Sequence, residues 1–293
     1  MISDRYTSNV VEYEKQLTIL EDAYDVYKSS QECKDQEDMK KETRYGIISK
    51  LRNYRDNERK PFYVADMETL LNENNEHVPY AIGLLKCVPN VPVCTDDIST
   101  WFSADHIQLS SQDDRSTRIL SSFVNNLESM VRRHRKCSVV YFHNFAHFEG
   151  IMLIRHLVRN HNYKLKPLMR NGELKVYYSN RHCIIFRDSL KLLPRSLESL
   201  ANDLGPELGT KGSVDHSTVG LLNLKERKEG LLNYLVQYIR LLAGVMLKAQ
   251  EIIFSEFGVD IVKKITISSL ALTIFRKASY NDKTHPSNEY SLY

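Results

Sequence analysis

The chain has 293 residues, of which 42% are hydrophobic and 26% are charged, a composition that fits a globular protein able to bury a full core. The formal net charge is only +3, so the total charge is no argument for nucleic-acid binding, which has to rest on local features. The N-terminal residues do not form a secretory signal, and no apolar run approaches the length of a membrane span, so we expect no membrane partner.

The first strand of the predicted sheet leads into two acids. Residues 1–60 are polar and charge-mixed, which predicts a helical N-terminal extension. The apolar run that begins at Phe62 predicts a strand, and this strand runs into Asp66 and Glu68. A polar turn and a second apolar run follow, so the two acids lie on the first strand of a predicted hairpin.

The rest of the chain predicts a mixed sheet with helices on both sides. Apolar residues at helical or at near-continuous spacing define the elements. The predicted order is a helix around 119–131, a strand at 137–144, a helix at 148–160, strands at 173–180 and 183–193, a short helix that ends at Gly205, a loop at 206–222, a long helix at 225–257 and another helix after 264. The predicted fold class is therefore α/β.

The spacing of Asp66 and Glu68 has two interpretations. In a strand, residues i and i+2 point to the same face, so the two carboxylates would repel each other unless a cation lies between them. A divalent metal ion is the usual cation for such a pair. The alternative is that the strand ends at Ala65 and that both acids are solvated.

A second set of polar residues lies where the strand at 137–144 meets the next helix. Asn144 lies at the end of this strand, and Phe148 and Glu149 begin the helix. Ligands of open α/β sheets bind at the carboxyl ends of strands, so Glu149 is a candidate to join Asp66 and Glu68 around a metal ion. The alternative makes Asn144 a turn residue, Phe148 a core residue and Glu149 a first-turn acid that complements the helix dipole.

In this order, the residues resemble the exonuclease motifs of family B DNA polymerases. The resemblance is to the protein-primed branch, which is carried by linear plasmids of mitochondria and fungi and by some phages, and it covers about residues 61–280. The D-x-E motif is matched by Asp66 and Glu68, and the N-x-x-x-F-D motif is matched by Asn144, Phe148 and Glu149. The Ser/Thr-Leu motif is matched by Ser189 and Leu190, and the Lys-x-x-hydrophobic motif is matched by Lys211 and Val214. The tyrosine of the Y-x-x-x-D motif is matched by Tyr234.

The resemblance implies a ribonuclease H-like fold and a metal-dependent 3′–5′ exonuclease. Asp66, Glu68 and Glu149 would hold two Mg²⁺ or Mn²⁺ ions, and Tyr234 would orient the attacking water. The other matched residues would hold the single-stranded 3′ end: Asn144, Phe148, Ser189, Leu190 and Lys211. The resemblance also implies a terminal priming protein as a partner.

Two positions depart from the family pattern. Glu149 stands where the family has aspartate, which moves the carboxylate by one methylene, and octahedral Mg²⁺ tolerates such a shift poorly. Tyr238 stands where the third motif has its aspartate, and a neutral phenol is a poor Mg²⁺ ligand. We therefore expect an incomplete two-metal site and a weak or inactive exonuclease.

The polymerisation motifs of the family, among them D-x-x-S-L-Y-P and D-T-D, do not occur in this chain. We expect an N-terminal extension at 1–60, an exonuclease-like domain at 61–260 and the start of a truncated polymerase region at 261–293. The expected setting is a mitochondrial linear plasmid or an insert derived from one. Two alternatives stay open, a non-catalytic module that binds single-stranded DNA and a decayed remnant without function.

Overall fold

The protein is described here by a computed structural model. The structure describes residues 51, 56, 58–72, 75–134, 138–146, 149–159, 164–168, 173–177, 183–210, 212–215 and 218–278. Nearly all of the predicted N-terminal extension lies outside these residues, as does the end of the predicted polymerase region. The predicted boundaries at residues 60 and 260 stay predictions.

The described strands form one mixed sheet. They are β1 (Phe62–Leu71), β2 (His77–Cys87), β3 (Ser99–Phe102), β4 (Ser138–Phe142), β5 (Lys164–Leu168), β6 (Glu173–Tyr177) and β7 (Cys183–Asp188). Their spatial order is β3-β2-β1-β4-β7-β6-β5. The hairpin β1–β2 and strand β3 are antiparallel, whereas β1, β4 and β7 run parallel to one another. Such an antiparallel meander followed by parallel strands is the ribonuclease H-like arrangement, so the predicted fold class is confirmed.

Helices cover both faces of the sheet, as the alternation of β1 requires. They are α1 (Gln112–His134), α2 (Glu149–Arg159), α3 (Leu197–Leu204), α4 (Lys228–Phe257) and α5 (Ile267–Ala278). Phe62 and Val64 of β1 pack into the core formed with α3 and α4, whereas Tyr63 and Ala65 pack into the core formed with α1 and α2. Side chains in a strand alternate between faces, so Asp66 and Glu68 continue the face that α4 covers.

The close approach of α4 to the sheet depends on one glycine. Gly83 of β2 pairs directly with Asp66 of β1. A Cβ atom at Gly83 would lie 2.3 Å from Ile239 Cδ1 and 3.4 Å from Leu235 Cδ2, so a side chain there would force the end of the Ile239 side chain to move. The missing side chain thus lets the residues next to Ile239 on α4 reach the acids of β1.

The structure corrects two details of the sequence prediction. Strands β3 and β5 were not predicted, because β3 has only four residues and β5 contains Pro167, which weakens a strand pattern. The prediction that no apolar run approaches a membrane span was also wrong. Within the described residues, α4 is long and apolar enough to cross a membrane by length and composition alone, and half of its most apolar window is buried inside the protein, as in a core helix.

Candidate functional site

The two acids lie in the middle of β1, on the face of the sheet that α4 covers. Asp66 is 5% exposed and Glu68 is 9% exposed, although both are charged residue types that are rarely buried without a reason. The pairing of β1 with β2 shifts register directly after Glu68. Such a bulge bends a strand and re-aims the adjacent side chains, which is common beside active sites.

The loop after β4 brings a third acid to this end of the sheet. Val64 pairs with Tyr141 in the parallel register, so two residues later Asp66 is level with His143. The chain then turns sharply, and Gly150 donates its backbone N–H to the Phe145 carbonyl at 2.9 Å. A Cβ atom at Gly150 would lie 2.8 Å from that carbonyl oxygen, so this turn needs glycine, and it starts α2 at Glu149 beside the β1 acids.

Glu149 is held in an unfavourable environment for a charge. Its side chain is 6% exposed, and within the described residues its Oε2 atom is buried without a hydrogen-bond partner. Burial, the negative charge of Asp66 and weaker repulsion from Asp188 and Glu68 raise the pKa of Glu149 to about 8. The predicted acids are therefore within electrostatic range of one another, and the cluster carries more negative charge than its surroundings compensate.

Two tyrosines of α4 cover the carboxylate cluster. Tyr234 is buried and Tyr238 is half-buried, and residues four apart share one face of a helix. Burial, followed by the charges of Asp66 and Glu149, raises the pKa of Tyr238 well above its ordinary value. The Tyr238 hydroxyl thus stays protonated and lies in the field of the cluster, at the place where the family motif predicts an aspartate.

A fourth acid, Asp188, was missed by the sequence prediction. It is 1% exposed at the end of β7, and its Oδ1 atom accepts the backbone N–H groups of Asn144 and Leu190, both at 2.9 Å. Its Oδ2 atom accepts the N–H group of Ala146 at 3.2 Å. Asp188 therefore ties the turn after β4 to the segment after β7. The available signal was its position at the carboxyl end of a strand, directly before Ser189.

The predicted DNA-binding residues have different surroundings. Asn144 is exposed, and its φ of 74° lies in the left-handed region, which asparagine tolerates better than most residues. Ser189 is 1% exposed, its hydroxyl lies 2.9 Å from His143 Nδ1, and Leu190 is half-buried. A DNA contact by the Ser189 hydroxyl would require that hydroxyl to become accessible. Phe148 and Lys211 lie outside the described residues, so their predicted roles stay predictions.

The three predicted metal ligands are close, but they are not preassembled around a common point. In the parts of the chain that the structure describes, no three His, Cys, Asp or Glu side chains form a group that could hold a metal ion as they stand. The donor set nevertheless fits a hard divalent cation, because it is composed of carboxylates and includes the unpartnered Oε2 atom of Glu149.

Comparison with solved structures found similarity to Phi29 DNA polymerase. The structure of that polymerase complexed with single-stranded DNA matches with a TM-score of 0.46 and 20% identity, over 73% of this chain and 34% of the polymerase. The ternary complex with primer-template DNA and incoming nucleotide substrates matches with a TM-score of 0.48 and 18% identity, over 75% of this chain and 34% of the polymerase.

Curated relatives occur in fungi. A protein named Probable DNA polymerase from Neurospora intermedia is 27% identical over 202 residues, which are 54% of this chain and 21% of that protein. A protein of the same name from Ascobolus immersus is 24% identical over 277 residues, which are 80% of this chain and 21% of that protein. The chain thus spans about a fifth of the length of these relatives.

The family itself is shown by a match over more than half of the chain. Residues 129–229 and 223–292 match the family described as DNA polymerase type B, organellar and viral. The match includes the turn after β4, the end of β7 and all of α4, which carry most of the residues discussed above. The predicted resemblance is confirmed, and the chain belongs to the organellar and viral type B DNA polymerases.

Proposed function

We propose that this chain serves DNA replication as the exonuclease-like part of a type B DNA polymerase. In this proposal it binds the single-stranded 3′ end of DNA and removes nucleotides slowly or not at all. The observation that carries the proposal is Glu149, a buried carboxylate with an unpartnered oxygen that lies in the field of Asp66 and Glu68. Such an uncompensated acid is costly, and costly arrangements are concentrated at functional sites.

The residues of the cluster have distinct proposed roles. Asp66, Glu68 and Glu149 would hold Mg²⁺ or Mn²⁺, which supplies charge stabilisation and an activated water for hydrolysis when it is bound. Tyr234 is buried on the helix face above these acids, so its hydroxyl is a candidate to orient the attacking water. Asn144 is exposed at the adjacent turn, where it could hydrogen-bond the terminal nucleotide.

The slow rate follows from Tyr238. This side chain lies in the field of Asp66 and Glu149, and burial keeps its hydroxyl protonated. A neutral hydroxyl at this place lowers the total negative charge that can hold a second cation. The proposed consequence is that the site retains a strand-binding geometry but loses most of its catalytic power.

The same observation favours a second candidate, a module that binds single-stranded DNA without cleaving it. The two candidates differ in only one measurable property, which is the metal-dependent release of mononucleotides. Both predict that binding weakens as salt concentration rises, because phosphate contacts release counterions.

The test uses the full 293-residue chain and a single-stranded oligonucleotide labelled near its 3′ end. We expect salt-sensitive binding and a slow release of nucleotides in Mn²⁺ that Asp66→Ala abolishes. Binding without any release above the Asp66→Ala blank would support the non-catalytic module. The absence of DNA binding at low salt would refute both candidates and leave the remnant without function.

We also propose the setting that the motifs predict, a mitochondrial linear plasmid or a plasmid-derived insert. The family description, organellar and viral, and the fungal relatives support this setting. A terminal priming protein is a further proposed partner. Sequencing the DNA that flanks the gene tests the setting, and a gene embedded among ordinary nuclear genes would contradict it.

A further inference from the structure

A surface cavity of about 320 Å³ lies beside the first turn of α4, separate from the carboxylate cluster. It is lined by Ser213, Val214, Asp215, Arg227, Gly230 and Leu231. None of these lining residues is aromatic, so the cavity offers no surface on which a nucleobase could stack. Its cationic group is the guanidinium of Arg227, and a guanidinium is suited to binding a phosphate through parallel N–H donors.

The cavity lies close to Tyr234, one of the two tyrosines that cover the carboxylate cluster. The loop that forms one wall passes over α4 so closely that a Cβ atom at Gly212 would lie 3.7 Å from Tyr234 Cδ2. The buried hydroxyl of Tyr80 is affected electrostatically by both the acids and Arg227. Burial is the main cause that raises the pKa of Tyr80, the charges of Glu68 and Asp66 raise it further, and the charge of Arg227 lowers it. The acids and Arg227 thus both act on Tyr80, so the cavity and the carboxylate cluster lie in the same part of the fold.

Arg227 is placed to meet a ligand from outside the fold. Its side chain is half-buried, and one guanidinium nitrogen donates a hydrogen bond to Thr218 Oγ1 at 2.7 Å, which orients the group and leaves its other donors to be used. Arg227 is also the residue that precedes α4, and its side chain does not cap the helix. The guanidinium is therefore not used to cap α4.

The remaining lining residues leave room for a phosphate. No atom lies within 4 Å of the position that a Cβ atom of Gly230 would occupy, so the wall at the first turn of α4 is open. Asp215 also lines the cavity, and because its carboxylate repels an anion, a phosphate would have to bind at the Arg227 guanidinium and away from Asp215.

We propose that this cavity is a subsite for one internucleotide phosphate of the DNA strand whose 3′ end lies at the carboxylate cluster. Arg227 binds that phosphate. The contact gives affinity and fixes the register of the strand without reading its sequence. This inference rests on the proposed function and adds to it a named phosphate-binding residue.

The test is a linkage scan on the full chain with short single-stranded oligonucleotides. Each oligonucleotide carries one uncharged methylphosphonate linkage at a different distance from the 3′ end, and fluorescence anisotropy measures its affinity. With the unaltered protein, we expect one linkage near the 3′ end to weaken binding by about threefold to tenfold. In Arg227→Gln, the same linkage should cost nothing, because the residue that reads its charge is absent.

Two variants provide the controls. Lys248→Gln removes one positive charge from an exposed part of the same helix, where the side chain pairs with Glu251, and it should leave both the affinity and the scan unchanged. Arg227→Lys keeps the charge and should retain most of the linkage effect. Arg227→Gln should also reduce the slope of log affinity against log salt by about 0.7, the value for one phosphate contact on a single strand. Thermal unfolding confirms that each variant is folded.

The outcomes separate this inference from the proposed function. If the unaltered protein does not bind DNA, the proposed function fails and the subsite fails with it. If the protein binds DNA and the linkage scan is identical in Arg227→Gln, the subsite is wrong while the proposed function stands. If thymidine monophosphate competes in the unaltered protein only, and no linkage matters, the cavity holds a free nucleotide and the strand assignment is wrong.

Discussion

Strand β1 runs between two groups of buried acids that differ in how their charges are compensated. The first group lies beside the start of β1. There Asp260 is fully buried and accepts hydrogen bonds from the Lys60 N–H at 2.9 Å, from Gln250 Nε2 at 2.8 Å and from the Val262 N–H at 3.1 Å. Asp56 beside it accepts the Asp260 N–H at 2.7 Å. These acids join the start of β1 to the segment after α4.

In the carboxylate cluster farther along β1, Glu149 lacks such complete compensation. Glu149 keeps one buried oxygen without a partner among the described residues, and its neighbours Asp66, Asp188 and Glu68 add negative charge. Burial of a polar group without a hydrogen bond typically costs about 1–3 kcal/mol, and more when the group is charged. The fold supplies hydrogen-bond donors to Asp260, which is a structural acid. At Glu149 it leaves one carboxylate oxygen for a cation or a ligand to compensate.

The largest expected effect concerns the pH dependence of stability in metal-free buffer. The folded state holds the proton of Glu149 with a pKa of about 8, above the ordinary value of 4.5. The stabilisation is therefore complete below pH 4.5 and is lost as pH rises through 8, by at most about 5 kcal/mol. Urea unfolding from pH 5 to pH 9 should show this loss in the unaltered protein and not in Glu149→Gln.

The control for that comparison is Glu198→Gln, which neutralises an exposed acid in the first turn of α3. Its stability should follow the pH dependence of the unaltered protein. If Glu149→Gln also follows that dependence, then Glu149 is compensated in the folded protein, and the contrast between the two groups of acids disappears.

Asp260→Ala is expected to have the next largest effect, on stability. It leaves the N–H groups of Lys60 and Val262 and the Gln250 amide without their acceptor in a buried place. We expect a loss of about 3 kcal/mol in the free energy of unfolding, measured in urea. The folded fraction should bind DNA normally, because this group lies away from the carboxylate cluster. A loss below about 1 kcal/mol would show that the donors find other partners.

Asp188→Ala should cost about 2 kcal/mol of stability, because three backbone N–H groups lose their acceptor at partly hydrated positions. It should also loosen the turn after β4, so that the amide protons of Asn144, Ala146 and Leu190 exchange faster with solvent, measured by NMR. Asp203→Ala, at an exposed acid of α3, is the matched control. Unchanged exchange at Asn144 would show that the turn is held by other contacts.

The smallest expected effect is on catalysis. Tyr238→Asp returns a carboxylate to the cluster beside Asp66 and Glu149, and it should raise the rate of nucleotide release by at least about tenfold, or about 1.4 kcal/mol of barrier. Glu149→Asp should add to this gain non-additively, because both residues would serve one metal pair. The assay is mononucleotide release from a labelled 3′ end, with Asp66→Ala as the blank.

Two results would contradict this assignment. The first is brisk digestion of DNA by the unaltered protein, and the second is an unchanged rate in Tyr238→Asp. Either result would mean that position 238 is not a metal-ligand position and that the third motif is aligned incorrectly.

The sequence was sufficient to predict the elements that carry the candidate site. The apolar run from Phe62, the near-continuous strand before Asn144 and the helical spacing around Tyr234 are local patterns, and the structure contains β1, β4 and α4 at these places. Strands β3 and β5 escaped prediction because a short strand and a strand with Pro167 leave too weak a period.

The candidate site itself was predicted only in part. The family resemblance named Asp66, Glu68 and Glu149, and the structure places them within electrostatic range of one another. The family resemblance did not name Asp188, whose hydrogen bonds to the turn after β4 join residues far apart in the chain. It also did not name Arg227, because a single arginine before a long helix has no pattern that distinguishes it from a solvated charge.

Alternation along β1 is a local property, and it alone places Asp66 and Glu68 on one face, because each side chain points opposite to its neighbour. Contact between that face and α4 is not a local property. At Gly83 the missing side chain leaves room for Ile239 of α4, and the same packing puts Tyr238 in the field of the acids. Long-range packing of this kind leaves no period in the sequence, so the burial of Glu149 among other acids becomes visible only when the strands and helices are packed together.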